Sequence, residues 1–397
     1  MLRVLTLSTL YPDATRSNFG VFVERQTLGL AALPDTLVTV VAPIGLPPRA
    51  LRRASHRALA RLPQEETWRG LNVHRPRFLS LPAANGRFAP ALLARAVRPI
   101  LDRMAGRFDV IDASFFFPDG PAAVALGRRY GVPVSIKARG ADIHHWGVVR
   151  RAQVVAAGQG ADGLLAVSAA LKADMVALGL AGDKVGVHFT GVDREQFHPA
   201  DRAAAKAALG LTGPVVLSLG ALIGRKGHGI VLDAVATLPD VTLLIAGDGP
   251  DRAALAAQAT ARGVAARVHL LGSVPHAELP RLLQAADVMA LASSSEGLAN
   301  AWVEALACGT PIVIPDAGGA REVVTIPAAG RIVARDPQAF AAAIAGLLAA
   351  PPAQDETAKA AASFSWARNA RALREHLVRL VLGATDPASP RGVTAVR

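Results

Sequence analysis

A chain of 397 residues exceeds what one ordinary hydrophobic core fills, and a prior of roughly 150 residues per domain points to two domains. Hydrophobic residues make up 51% of it, yet the unbroken apolar runs are strand-sized, short of the roughly 20 residues that span a bilayer, so no transmembrane helix is expected. The net charge of +12 is lopsided, with 25 Lys and Arg against 15 Asp and Glu in residues 1–196 and 18 against 16 thereafter, while aromatic residues at 5% argue against a nucleic-acid stacking platform.

The opening MLRVLTLSTLYP reads as a buried strand entering a turn and not as a charged leader, so export is not expected and a cytoplasmic location is. Apolar, β-branched runs predict strands at 3–8, 37–42, 110–113 and 132–136, separated by Ala-rich helical stretches. Between them, 47–63 is periodic enough for a short amphipathic helix. From Arg49 to Arg107, 13 arginines face only Glu65, Glu66 and Asp102, a patch that suits an anionic membrane surface or a phosphorylated substrate. An Ala- and Arg-rich composition accounts for such a patch equally well, since only six of the 43 basic residues are lysine.

Turn formers in GVDREQFHPA, 191–200, mark a domain break before the helical DRAAAKAALGL. The strand and helix alternation then resumes, with strands at 215–219, 241–245, 268–271, 288–291 and 311–314. Such alternation implies parallel sheets covered on both faces, an α/β protein. The single cysteine, Cys308, precludes an intrachain disulfide, fits a reducing compartment and, between Ala307 and Gly309, reads as a small buried packing residue. The tail 384–397 has turn-former composition and should fray.

In doubly wound folds ligands bind beyond the carboxyl ends of strands, which directs attention to three turns. After the first strand, Asn18, Phe19 and Gly20 open a helix, and a glycine there lets backbone amides approach a phosphate or sugar. After Leu219, GALIGRKGH sets Arg225 and Lys226 between glycines, a compact positive site suited to a diphosphate. After 288–291, SSSEGLANAWVEALACGTPIVIPDAGGARE puts Glu296 in a loop, Gly297, Leu298, Ala299 and Asn300 at a helix start, and Glu304 within that helix. Free amides at a helix start hold anions or hydroxyls, and a carboxylate farther along can accept from a ribose diol. An ordinary solvated helix face with a capping residue would look similar.

Glu296, Glu304, Gly309 and Pro311, in register, make this segment resemble the E-x7-E signature of retaining, family-four glycosyltransferases of the GT-B fold. The likeness extends to YPD with Gly20, ARGADI at 138–143, VSAAL from Val167, GVD at 191–193, GRKG, GDGP at 247–250 and FSW at 364–366. It implies two facing Rossmann-like, doubly wound domains with an interdomain cleft: an acceptor domain, 1–196, and a nucleotide-sugar domain, 197–365, with the helix 366–383 packing back on the first. It further implies that Lys226 and Arg225, with Gly220 in the same turn, bind the donor diphosphate, that Glu304 holds the ribose and Glu296 the transferred sugar, and that the amides of Gly297, Leu298, Ala299 and Asn300 assist. Val274 corresponds to the base contact, Gly20 to closure over the phosphates, and Arg139 and Asp142 to contacts with sugar or acceptor. Where relatives carry arginine after the strand-ending glycine this chain has Ala221, where they carry His-Gly it has Arg139-Gly140, and Thr190 replaces an asparagine before GVD.

No Asp-x-Asp occurs, so no metal and no cofactor is expected: the nucleotide sugar is a substrate, and a glycan or lipid-linked molecule of cell-envelope synthesis is the expected acceptor. A nicotinamide or flavin enzyme is disfavoured, because no G-x-G-x-x-G joins the first strand to a helix. The alternatives left are an epimerase or phosphorylase of the same architecture and a non-catalytic, basic membrane-binding scaffold.

Overall fold

The computed structural model describes residues 1–81 and 84–385, so most of the tail expected to fray lies outside the described residues. The chain divides into two compact units, one formed by 1–189 with 366–397 and the other by 190–365.

The first unit is built on an eight-stranded sheet. Its strands are β1 (Leu2–Leu7), β2 (Thr36–Val41), β4 (Glu65–Trp68), β5 (Leu71–His74), β7 (Val110–Ala113), β8 (Val134–Ala138), β9 (Gly163–Ala166) and β10 (Val185–Val187), in the order β10-β9-β8-β7-β1-β2-β5-β4. All neighbours are parallel except the edge hairpin of β4 and β5. A separate parallel pair joins β3 (Ile44–Leu46) and β6 (Arg77–Leu79). β8 begins two residues later than the apolar run suggests, because Pro133 offers no N–H to a ladder and the Val132 amide closes the preceding helix on Gly127.

The second unit holds a six-stranded, fully parallel sheet of β11 (Val215–Leu219), β12 (Thr242–Ala246), β13 (Val268–Gly272), β14 (Val288–Ala290), β15 (Ile312–Ile314) and β16 (Gly330–Ile332). Its order is β13-β12-β11-β14-β15-β16. The order reverses at β11, making the crevice beyond β11 and β14 the topological switch point of a doubly wound sheet. Its central strands are apolar on both faces, as helices on either side require.

The helix Trp366–Thr385 belongs to the first unit, where Leu373 and Leu377 are buried with Leu2, Val4, Leu30, Val110 and Leu165. Each such leucine contributes roughly 1.5–3 kcal/mol. Polar anchors fix the helix further: Asn369 Nδ2 donates to the Phe189 carbonyl at 2.6 Å, and His188 Nε2 meets the Asn369 carbonyl at 2.8 Å. His376 Nε2 lies 3.0 Å from Ser135 Oγ, and burial, reinforced by the positive charges of Arg379 and Lys137, lowers that imidazole to about 4. An unfolded histidine takes up its proton near pH 6.5 while the folded one resists until about pH 4, so this contribution to stability is complete above that window and is lost as pH falls through it. The loss should reach roughly 3 kcal/mol. Urea unfolding at pH 7 and pH 4.5 should show a steeper acid loss in the wild type than in His376→Gln. The difference between variants is the readout, because buried Asp112 and Asp119, raised to about 6 and about 7, respond with the opposite sign.

The basic segment is less available than its arginine count suggests. Arg75 is buried, paired with Glu66 and donating to the Pro12 carbonyl at 2.7 Å, and Arg77 donates to the carbonyls of Leu62, Pro63 and Arg75. Arg49, Arg53, Arg57 and Arg61 do stand exposed on and before the short helix Ala54–Arg61, with Leu51 beside them. Leu59 is that helix's buried residue and packs with Ile44, Leu46 and Leu62. No helix among the described residues is long and apolar enough to cross a membrane.

Candidate functional site

The predicted residues fall into two groups, one in each unit. In the second unit, Gly220 follows β11 and begins the turn that carries Arg225 and Lys226. These two lie in a 3₁₀ turn, Gly224–Lys226, ahead of the helix His228–Ala236 and not in its first turn; left-handed Gly227 (φ 69°) separates the two elements. A Cβ at Gly227 would stand 2.2 Å from the Ala292 carbonyl oxygen, so glycine lets this turn press against the chain leaving β14. The Ser294 amide donates to the Arg225 carbonyl at 2.8 Å across the same contact.

This packing places Lys226 Nζ 2.5 Å from Glu296 Oε1, with Arg225 Nη1 3.6 Å from the same oxygen and 2.5 Å from the Ser295 carbonyl. Glu296 is 8% exposed, and an unpartnered carboxylate at that depth would be costly, so the two cations offset it. Glu296 stands before the helix Asn300–Ala307 and Glu304 inside it. Ala299 caps that helix without a side-chain hydrogen bond, and the amides of Leu298, Ala299 and Asn300 donate to no group among the described residues. The helix start is thus open to an anion. Glu304 Oε1 lies 2.8 Å from His276 Nε2, and Val274 is half-buried two residues earlier in the turn after β13. Lys226, Arg225, Glu296, the 297–300 amides, Glu304, Val274 and Gly220 all lie in the second unit, those of the GRK turn and the 296–300 loop at its switch point.

Three supporting residues escaped the sequence reading. His228 Nδ1 lies 2.8 Å from Ser218 Oγ and its Nε2 3.2 Å from the Ala221 carbonyl, so a buried imidazole, held below its usual basicity by desolvation, shapes the turn at Ala221. Arg335 donates from Nε to the Ala292 carbonyl at 2.8 Å and reaches Gly224, tying the GRK turn to β14. His276 is the third. Arg335 and His276 have no local sequence signal, because each acts on a residue distant in the chain.

In the first unit, Gly20 adopts a left-handed conformation (φ 74°) and caps the helix Val21–Ala31; a Cβ there would sit 2.5 Å from the Leu10 carbonyl oxygen. The Arg139 guanidinium lies over the Phe22 ring of that helix at 4.7 Å, donates to the Ser114 carbonyl at 2.7 Å and reaches Gln26 at 3.3 Å. Burial lowers it to about 10. Asp142 does not present its carboxylate to a ligand. It is fully buried and accepts from the amides of Arg139, Gly140 and Phe116 at 2.8–3.1 Å, so its work is to fold the Arg139 loop. Cys308 is a buried packing residue whose thiol is pushed upward, chiefly by desolvation.

The model for Glycosyltransferase Family 4 matches residues 29–196 and that for Glycosyl transferases group 1 matches 200–364. The D-inositol 3-phosphate glycosyltransferases of Mycolicibacterium paratuberculosis and Mycolicibacterium gilvum are similar, at 39% identity over 206 residues and 37% over 201. Each alignment covers 48% of this chain and 46% or 45% of the relative, so the chain spans a little under half the length of these curated relatives. Among solved structures, a sucrose-phosphate synthase from Thermosynechococcus elongatus superimposes with a TM-score of 0.83 at 20% identity, covering 97% of this chain and all of that one. Anabaena HepE in complex with UDP gives 0.72 at 20% identity, covering 96% and 100%. At that identity the superpositions establish the fold. With its two halves matched by these two models and its fold shared with these structures, the chain belongs to the family-four glycosyltransferases of the GT-B fold.

Proposed function

We propose that this chain is a retaining, metal-independent glycosyltransferase. In this reading it moves a hexose-type sugar from a UDP- or GDP-sugar to a glycan or lipid-linked acceptor in cell-envelope polysaccharide or glycolipid synthesis. The observation that carries the reading is the Lys226–Glu296 pair at 2.5 Å, with Arg225 beside it, on the loop leading into a helix start where the amides of Leu298, Ala299 and Asn300 donate to no described residue. Cations and amides fixed in place before reaction offset the charge that develops on a departing diphosphate, and one such donor is worth roughly 3–4 kcal/mol. They can do so without a divalent ion.

Glu296 is already held by Lys226 and so suits a hydroxyl of the transferred sugar better than covalent attack. The acceptor oxygen then bonds to the anomeric carbon on the face from which the phosphate oxygen leaves, and the acceptor proton passes to that leaving phosphate. A trapped glycosyl ester on Glu296 would overturn this route. Retention itself rests on the family likeness. The exposed Arg49, Arg53, Arg57 and Arg61 with Leu51 support an anionic membrane surface as a partner, which an absence of co-sedimentation with anionic vesicles would remove. The name of the inositol-phosphate relatives adds a phosphorylated polyol to the acceptors worth assaying.

The test is thermal stabilisation by UDP, GDP, ADP and their sugar conjugates. A hundredfold excess over Kd stabilises by about 2.7 kcal/mol, so one nucleotide should raise Tm and both Lys226→Ala and Glu304→Ala should abolish the rise. Folded wild-type protein that responds to none of them would defeat the reading.

A further inference from the structure

One histidine is placed where it would control a ligand group it does not touch. His276 opens the 3₁₀ turn His276–Glu278, directly after the Val274-Pro275 segment that follows β13. Its Nε2 lies 2.8 Å from Glu304 Oε1, and its ring packs 5.3 Å from that of Phe197, which is 1% exposed. The Glu304 side chain is 11% exposed, and no described residue donates to its other oxygen, Oε2. Cys308, one helical turn further on, adds a buried, weakly polar neighbour, so the imidazole is the group that fixes this carboxylate.

We propose that His276 is a positioning residue for the ribose of the donor: by holding Glu304 through Oε1 it presents Oε2, already oriented, to the 2′- and 3′-hydroxyls. This rests on the reading that Glu304 binds ribose. A free glutamate samples several rotamers and must be ordered when ligand binds, whereas one held between an imidazole and its own helix has lost that freedom beforehand. Phe197 performs the same service for the imidazole, since a ring packed against a buried aromatic cannot swing away. The turn that carries Val274 at the position implied to contact the base therefore also carries the group that orients the ribose carboxylate. Gln can supply an N–H in place of the imidazole; Ala cannot.

The experiment measures Kd for UDP and GDP and for their 2′,3′-dideoxy analogues by calorimetry, with wild type, His276→Ala, His276→Gln and Glu304→Ala, each checked for an unchanged fold by its melting profile. The ratio of dideoxy to ribose Kd is the readout, because general damage to the fold would weaken both ligands alike. Glu304→Ala should collapse the ratio towards one. His276→Ala should lower it roughly tenfold by weakening only the ribose form, and His276→Gln should restore part of it. A ratio in His276→Ala equal to that of wild type, or equal loss of both ligands, overturns the role of His276 while leaving Glu304 on the ribose. A wild-type ratio in Glu304→Ala, or no binding by folded wild type, overturns the underlying reading instead.

Discussion

Lys226→Ala should lower kcat for sugar transfer by roughly a hundred- to a thousandfold, the cost of removing one preorganised donor from a developing negative charge. Truncation also leaves Glu296 with Arg225 alone at 3.6 Å, and stripping a buried carboxylate of its main partner costs stability of roughly 3–5 kcal/mol. Lys226→Gln retains a hydrogen-bond donor to Glu296 and separates the two effects: its stability should stay near wild type while its kcat falls with that of the alanine variant. The geometry also makes a prediction of opposite sign. With no ligand bound, Glu296 neutralises Lys226 at 2.5 Å, so an arriving diphosphate must share that ammonium and approach a carboxylate of like charge. Glu296→Gln should therefore bind the free nucleoside diphosphate severalfold more tightly, yet transfer sugar more slowly. If calorimetry instead shows Glu296→Gln weakening that ligand as much as Lys226→Ala does, Glu296 serves to orient the lysine and its assignment to the sugar falls.

The elements of this fold that are legible in the sequence are those set by local forces. Strands buried on both faces, such as Val110–Ala113 and Val215–Leu219, write themselves as short, mostly apolar runs, broken only by Asp112 and Ser218, and stand where that pattern puts them. Glu65–Trp68 escaped because an edge strand needs little apolar surface, and Gly163–Ala166 because four residues beginning with glycine carry too short a signal. The loop position of Glu296 and the helical position of Glu304 follow from spacing in one contiguous segment. What joins them to their partners does not. Lys226 and Glu296 are 70 positions apart and His276 and Glu304 are 28, distances bridged only once parallel strands bring their carboxyl ends side by side. Asp142 illustrates a related point: an acidic residue beside Gly140 looks available for a ligand until the amides that its carboxylate accepts from are located.

Gly318→Ala should be a strongly damaging single-methyl change at the loop that carries Glu296. Gly318 has φ 52°, and a Cβ there would lie 2.2 Å from the Glu296 carbonyl oxygen and 2.8 Å from that of Gly297, both backbone atoms that no rotamer change can move aside. The adjoining Gly319 amide donates to the Gly297 carbonyl at 2.8 Å, so the two glycines after β15 form the floor on which the 296–300 loop rests. Left-handed strain and overpacking together should cost about 3 kcal/mol, read as a lowered urea midpoint with unchanged slope. Because the atom displaced is the carbonyl of Glu296 itself, nucleotide-dependent stabilisation should disappear even where the variant is still folded. Gly346→Ala is the contrasting substitution. Gly346 lies in the helix Pro337–Ala349 with nothing within 4 Å of an added Cβ, and alanine there should stabilise by about 0.5–1 kcal/mol without altering nucleotide binding. Equal effects of the two substitutions would mean that generic glycine flexibility, and not close backbone approach beneath Glu296, sets the shape of the loop.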